Sequence, residues 1–205
     1  MTRNHEDHVA TLPGHATPGY DYGSVPRSPV SCAELDQLEQ TVEFTDEDRR
    51  YLKIASEFLP DHAEEMVGAW RARIGKQPHL ARWFYGPDGK PDERYKSAVK
   101  ARFVRWVIDL VTRPFDQQWL DYQEEIGRRH TPEKKNQTDR ADSPMVVPLR
   151  YLFAFVSVVI LTAPEFLARG RHTKEEIAGM HRAWTKAVLL SLTLWSRPYV
   201  RENLW

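Results

Sequence analysis

His130 is the residue best placed to do chemistry. It ends a stretch in which Trp119, Tyr122, Ile126 and His130 recur at helical spacing, so the four share one face of an amphipathic helix. Thr131 and Pro132 turn the chain immediately afterwards. A neutral imidazole offered from an apolar face is a natural axial ligand for a haem iron. The same position also suits a histidine that answers the helix dipole or caps a carbonyl. An aromatic stripe at this period is the usual mark of a core, so spacing alone leaves both readings open.

The other histidines and carboxylates point to less. His5, His8 and His15 lie in a Pro- and Gly-rich start and read as solvent-exposed. His62 stands beside Glu64 and Glu65 in a first helical turn, His79 follows Pro78, and His181 shares a helix face with Trp184. No His-Glu-x-x-His run or cysteine pair marks a zinc site, and no Gly-rich phosphate cradle is present. Glu-Glu pairs fall near helix starts, where negative charge is locally favourable, and support glycosidase or di-iron chemistry only weakly. Arg128, Arg129, Lys134 and Lys135 form a basic cluster too short for nucleic acid but useful near the carboxylates of a cofactor.

These residues must be positioned by a chain of 205 residues, enough for one sizeable core and short for two domains. Twenty-nine basic and 29 acidic side chains cancel, with pI near 7.1, which offers no electrostatic case for nucleic acid or an anionic membrane. The single cysteine, Cys32, excludes an intramolecular disulfide and suits a reducing compartment. The N-terminus is polar with no apolar signal region. The most apolar stretch, Val146 to Ala163, is interrupted by Pro148 and Arg150. A cytoplasmic protein without a membrane partner is expected.

The pattern predicts an all-α protein: a flexible tail over residues 1–17 and one helical domain over 18–205. A short helix from Cys32 to Val42 follows Ser31, and Thr45 with three acidic residues opens another that runs to about Phe58. Further helices are expected over Pro60–Gly75, Asp92–Val111, the segment ending at His130, Met145–Ala168 and Lys174–Trp195, the last capped by Thr173. Residues 131–144 read as a polar loop. Between Gly19 and Gly23, Tyr20 and Tyr22 are suited to anchoring an extended segment on the body. Trp70, Phe103, Phe155 and Val159 are large apolar groups available to line a ligand face opposite His130.

Several ordered runs carry a more specific signal: Pro18-Gly19-Tyr20-Asp21-Tyr22-Gly23, Pro78-His79-Leu80, Trp119-Leu120-Asp121-Tyr122-Gln123, Lys134 to Asp139, Arg150-Tyr151-Leu152, and Trp195-Ser196 with Pro198-Tyr199. With these the chain resembles the protoglobins, single-domain haem proteins related to the sensor domains of globin-coupled sensors. The resemblance spans residues 18–205. It implies a globin-like helical sandwich with an extra N-terminal helix and extension, and haem b (iron protoporphyrin IX) ligated by His130. It also implies Trp70, Phe103, Phe155 and Val159 as the bulky distal residues; Tyr122 and Ile126, which share the face of His130 by helical spacing, are expected beside the ligand. Reversible binding of oxygen, carbon monoxide and nitric oxide, and a homodimer formed through the last two long helices, follow from the same resemblance.

Two positions depart from the family pattern. Arg71 stands where the family usually carries tyrosine, and Thr131 where relatives often have a further histidine. A buried unpaired guanidinium is costly, so Arg71 is expected to turn toward solvent or a haem carboxylate, leaving a mostly apolar distal side. Gas sensing or scavenging is the reading favoured at this point. Peroxidase-like or nitric oxide dioxygenase activity at the same iron, and a haem-free dimerisation module, remain alternatives.

Overall fold

Eight α-helices and short 3-10 turns account for the regular structure among the described residues, 17–205 of a computed structural model. The expected tail, with His5, His8 and His15, lies outside them apart from Thr17. The helices are α1 (Cys32–Thr41), α2 (Asp46–Ala55), α3 (Leu59–Gly75), α4 (Pro78–Ala81), α5 (Glu93–Thr112), α6 (Gln117–Arg128), α7 (Leu149–Leu167) and α8 (Lys174–Ser196). The nearest approach to a strand is one antiparallel bridge from Tyr85 to Pro91, which closes the turn around Gly86–Lys90.

Local chemistry sets most boundaries. Reciprocal capping boxes start α1 (Ser31 with Glu34), α2 (Thr45 with Asp48) and α8 (Thr173 with Glu176). The Asp92 and Asp116 side chains accept from the backbone N–H of Tyr95 and Trp119 at the starts of α5 and α6. Two boundaries fall short of expectation. α2 stops at Ala55, because Ser56–Phe58 tighten into a turn before Pro60 enters the first turn of α3. α7 begins at Leu149 rather than Met145, since Pro148 lacks a donor and holds the preceding residue extended.

The helices assemble around α8, which packs on α2, α6 and α7 and touches α5, while α3 packs on α5 and α7. Close crossings need missing side chains. Gly179 lies under the Tyr51 ring, where a Cβ would come within 2.2 Å of Cζ. At Gly127 a Cβ would meet the Trp195 backbone at 3.0 Å, so α6 and α8 touch nearly backbone to backbone. The core runs through Leu59, Met66 and Trp70 of α3, Leu110 of α5, Leu120 of α6 and Met180, Trp184 and Val188 of α8. Two buried carboxylates are compensated in place: Asp109 forms an ion pair with Arg105 at 2.9 Å and accepts from Arg113 and the Tyr20 hydroxyl, each at 2.9 Å, and Asp48 pairs with Lys186 at 2.8 Å.

α7 is the one described helix long and apolar enough to cross a bilayer by length and composition. In the fold it lies along α8 and α3, with Val159, Ala163, Phe166 and Leu167 buried and Phe153 (51%) and Leu161 (72%) exposed.

Candidate functional site

The residues predicted from sequence to surround a ligand converge on one internal cavity of about 230 Å³. A single buried water needs only roughly 10–15 Å³, so this is a ligand-sized space rather than a packing defect. Arg71, Phe103, Tyr122, Ile126, His130, Phe155 and Val159 all line it. Trp70 does not reach the cavity. It is fully buried behind Phe103, ring centroids 5.2 Å apart, and its indole N–H donates to Thr162 Oγ1 at 2.8 Å. A second, more open depression of about 540 Å³ lies beyond Arg129, but it is a polar surface groove whose Lys134 and Arg129 are already paired with Glu125.

His130 follows α6 by two residues, in the turn that closes the helix, and four contacts fix it. Its N–H donates to Gly127 O at 3.0 Å and its Nδ1 lies 2.8 Å from Ile126 O. Its carbonyl accepts from Val147 N at 2.9 Å and from the Tyr199 hydroxyl at 3.1 Å. The Trp195 ring stacks near the imidazole, centroids 6.1 Å apart at 22° between planes, and is itself held by Gln123 Oε1 at 2.8 Å. The carbonyl at Nδ1 requires the proton there and leaves Nε2 with its lone pair and no partner among the described residues. Burial pushes the pKa of His130 down, which favours this neutral form. A backbone carbonyl on one ring nitrogen is the usual way a protein sets the tautomer of a metal-ligating histidine. With wide aromatic walls around one unpartnered imidazole nitrogen, these residues fit a haem.

Charged groups ring the cavity. Arg102 pairs with Asp139 and donates to Pro18 O at 3.2 Å, and Arg129 donates to Glu125 at 2.7 Å and also to Gly19 O. Those two contacts pin the Pro18–Gly23 segment, whose Gly19 and Gly23 adopt positive φ and whose Tyr20 packs on Tyr122 at 4.1 Å. The tyrosine anchor expected from sequence is thus present, and Tyr20 forms part of the cavity wall. Arg71 also lines the wall instead of standing free in solvent. Its Cζ lies 4.1 Å from the Phe84 ring centroid, and no ion-pair partner reaches it among the described residues.

Sequence reasoning missed part of the lining. Trp83 and Phe84 come from a single 3-10 turn after α4 and Lys135 from a loop, none long enough to show a period, and Trp106 lies on α5 close to Phe103. Trp83 Nε1 and Trp106 Nε1 are buried without a partner. Lys135 was visible only as part of a basic cluster. It is 4% exposed and donates to Trp83 O at 2.9 Å and Ser143 Oγ at 2.6 Å. Among the other histidines, His79 packs on Tyr151, His181 Nε2 donates to Ile160 O, and no cluster of metal-ligand type occurs among the described residues.

Comparison with known proteins agrees with this geometry. No curated protein matches the sequence significantly. Among solved structures, the globin domain of a Geobacter sulfurreducens globin-coupled sensor superposes with a TM-score of 0.64 at 17% identity, covering 82% of this chain and 98% of that one. That likeness establishes a globin fold. The Protoglobin family profile matches residues 31–205, most of the chain, and on that match the chain belongs to the protoglobin family of haem globins.

Proposed function

We propose that this protein holds haem b through His130 and reversibly binds diatomic gases, oxygen, carbon monoxide and nitric oxide, in gas sensing or scavenging. The observation that carries the reading is the imidazole itself: Nδ1 is engaged by Ile126 O, and Nε2 is unpartnered beside an apolar cavity. When bound, haem supplies a ferrous iron able to coordinate a diatomic gas. The protein's part is to orient that nitrogen and to keep water out. Tyr122 and Ile126 close the cavity beside the imidazole, Phe103, Phe155 and Val159 supply apolar wall, and Trp70 stiffens Phe103 from behind. Residues 18–205 act as one haem-binding domain in this reading, in a cytoplasmic setting.

A homodimer through α7 and α8 is part of the same proposal. Its support is the row of exposed apolar side chains there, Phe153, Leu161 and Leu189, which a second copy would cover.

Visible spectra of the purified protein test the proposal. A Soret band should appear, sharpen on reduction with dithionite and shift on carbon monoxide, and reverse when the gas is removed. A folded protein that takes up no haem would contradict it. The apolar wall further predicts fast oxygen release, and Arg71→Tyr should slow that release by about tenfold by adding a neutral donor. Stopped-flow release that is no slower in the variant would mean the pocket already has a donor.

A further inference from the structure

Two cations of the cavity wall have no ion-pair partner among the described residues. Arg102 and Arg129 are each paired with a carboxylate, whereas Arg71 and Lys135 have none within ion-pair distance among the described residues. They flank one aromatic pair. Arg71 lies over Phe84, Lys135 Nζ is 5.1 Å from the Tyr95 ring centroid and 3.3 Å from its hydroxyl, and the two rings are 5.7 Å apart. Glu93 acts on Arg71 only at longer range. The Lys135 ammonium is held by neutral acceptors alone: Trp83 O, Ser143 Oγ, the Tyr95 hydroxyl and Asn136 Oδ1. A buried ammonium without an anion is a costly arrangement that a ligand carboxylate would relieve. Consistent with this, burial alone pushes Lys135 down to about 8.

We propose that Arg71 and Lys135 form a carboxylate-binding subsite in the cavity wall, which takes the carboxylate-bearing edge of the haem and so sets its orientation. This rests on the haem reading above and adds to it the residues that hold the charged edge.

The test compares haem with its dimethyl ester, which has the same ring and iron but no carboxylates. The full chain is loaded with each, and the rate of transfer to excess haem-free acceptor globin is measured. The wild-type protein should release the ester about tenfold faster than haem, as expected for lost charge-assisted hydrogen bonds. Lys135→Met and Arg71→Leu should each speed haem release while leaving ester release nearly unchanged, and Lys135→Arg or Arg71→Lys should restore most of the difference. A ratio in both apolar variants equal to that of the wild type would overturn the subsite, and Arg71→Leu decides the question if Lys135→Met does not fold. Acetate that slows ester release in the wild type but not in Lys135→Met would assign the subsite to a free carboxylate and overturn the porphyrin-edge assignment. A chain that takes up neither porphyrin defeats the haem reading itself. One that takes up both and releases them equally defeats only the subsite.

Discussion

Tyr199 and Lys135 show how single side chains set the state of the site. The Tyr199 hydroxyl sits 2.6 Å from Val147 O and 3.1 Å from His130 O, tying the chain after α8 to the turn that carries the imidazole. Tyr199→Phe leaves those part-buried carbonyls with one donor fewer and should cost about 1 kcal/mol in denaturant unfolding. Unchanged stability would mean that water replaces the hydroxyl. Lys135 should act through pH. Its folded value, about 8, lies below the usual 10.5, so the unfolded chain binds more protons between the two. Stability of the haem-free protein therefore rises with pH across that window. Relative to wild type, Lys135→Met should show its largest advantage, or smallest deficit, below pH 8, shifting against the variant as pH approaches 10.5. A difference independent of pH would contradict a buried, uncompensated ammonium.

Among the elements, α6 and α8 matter most to the site, since His130 is placed by where α6 ends. Gly127 permits that placement: an added Cβ would meet the Trp195 backbone at 3.0 Å and Pro198 Cγ at 3.1 Å. Backbone cannot swing aside as a flexible side chain can. Gly127→Ala should destabilise the protein by about 1–3 kcal/mol despite alanine's better helix propensity, with haem release faster as His130 shifts. Equal or greater stability in thermal melts would mean that the helices separate freely. These elements were legible in the sequence wherever a cap coincided with a 3.6-residue period, as at Ser31, Thr45 and Thr173. The face shared by Tyr122, Ile126 and His130 was legible for the same reason. Periodicity could not say that His130 lies past the helix end, nor that Trp70 stops behind Phe103. Those outcomes depend on how α3, α5 and α6 cross. Lys135 was harder still, because a polar loop carries no period and its burial comes from Trp83, 52 residues away, and from Ser143 where the same loop folds back.

For the whole molecule, the cavity is closed by parts from both ends of the chain. Tyr20 comes from the N-terminal segment, Trp195 from α8, and Arg102 and Arg129 clamp the 18–23 backbone across them. The Pro18–Gly23 run lies ahead of residues 31–205, which the family profile matches. The exposed stripe on α7 is the other feature of this scale. Leu161→Glu lies on its most exposed apolar residue and away from the buried side of the helix, so it should leave the fold intact and shift a homodimer to monomer. Sedimentation velocity reads the result, and a wild-type protein that is monomeric at high concentration would contradict the dimer.

The central claim is that His130 Nε2 is the protein's bond to iron, and its removal and chemical replacement test it most directly. His130→Gly, loaded with haem and reduced, should lose the spectrum of a histidine-ligated ferrous haem and regain it when free imidazole is added. A variant whose ferrous and carbon monoxide spectra match the wild type without imidazole would show that another group binds the iron.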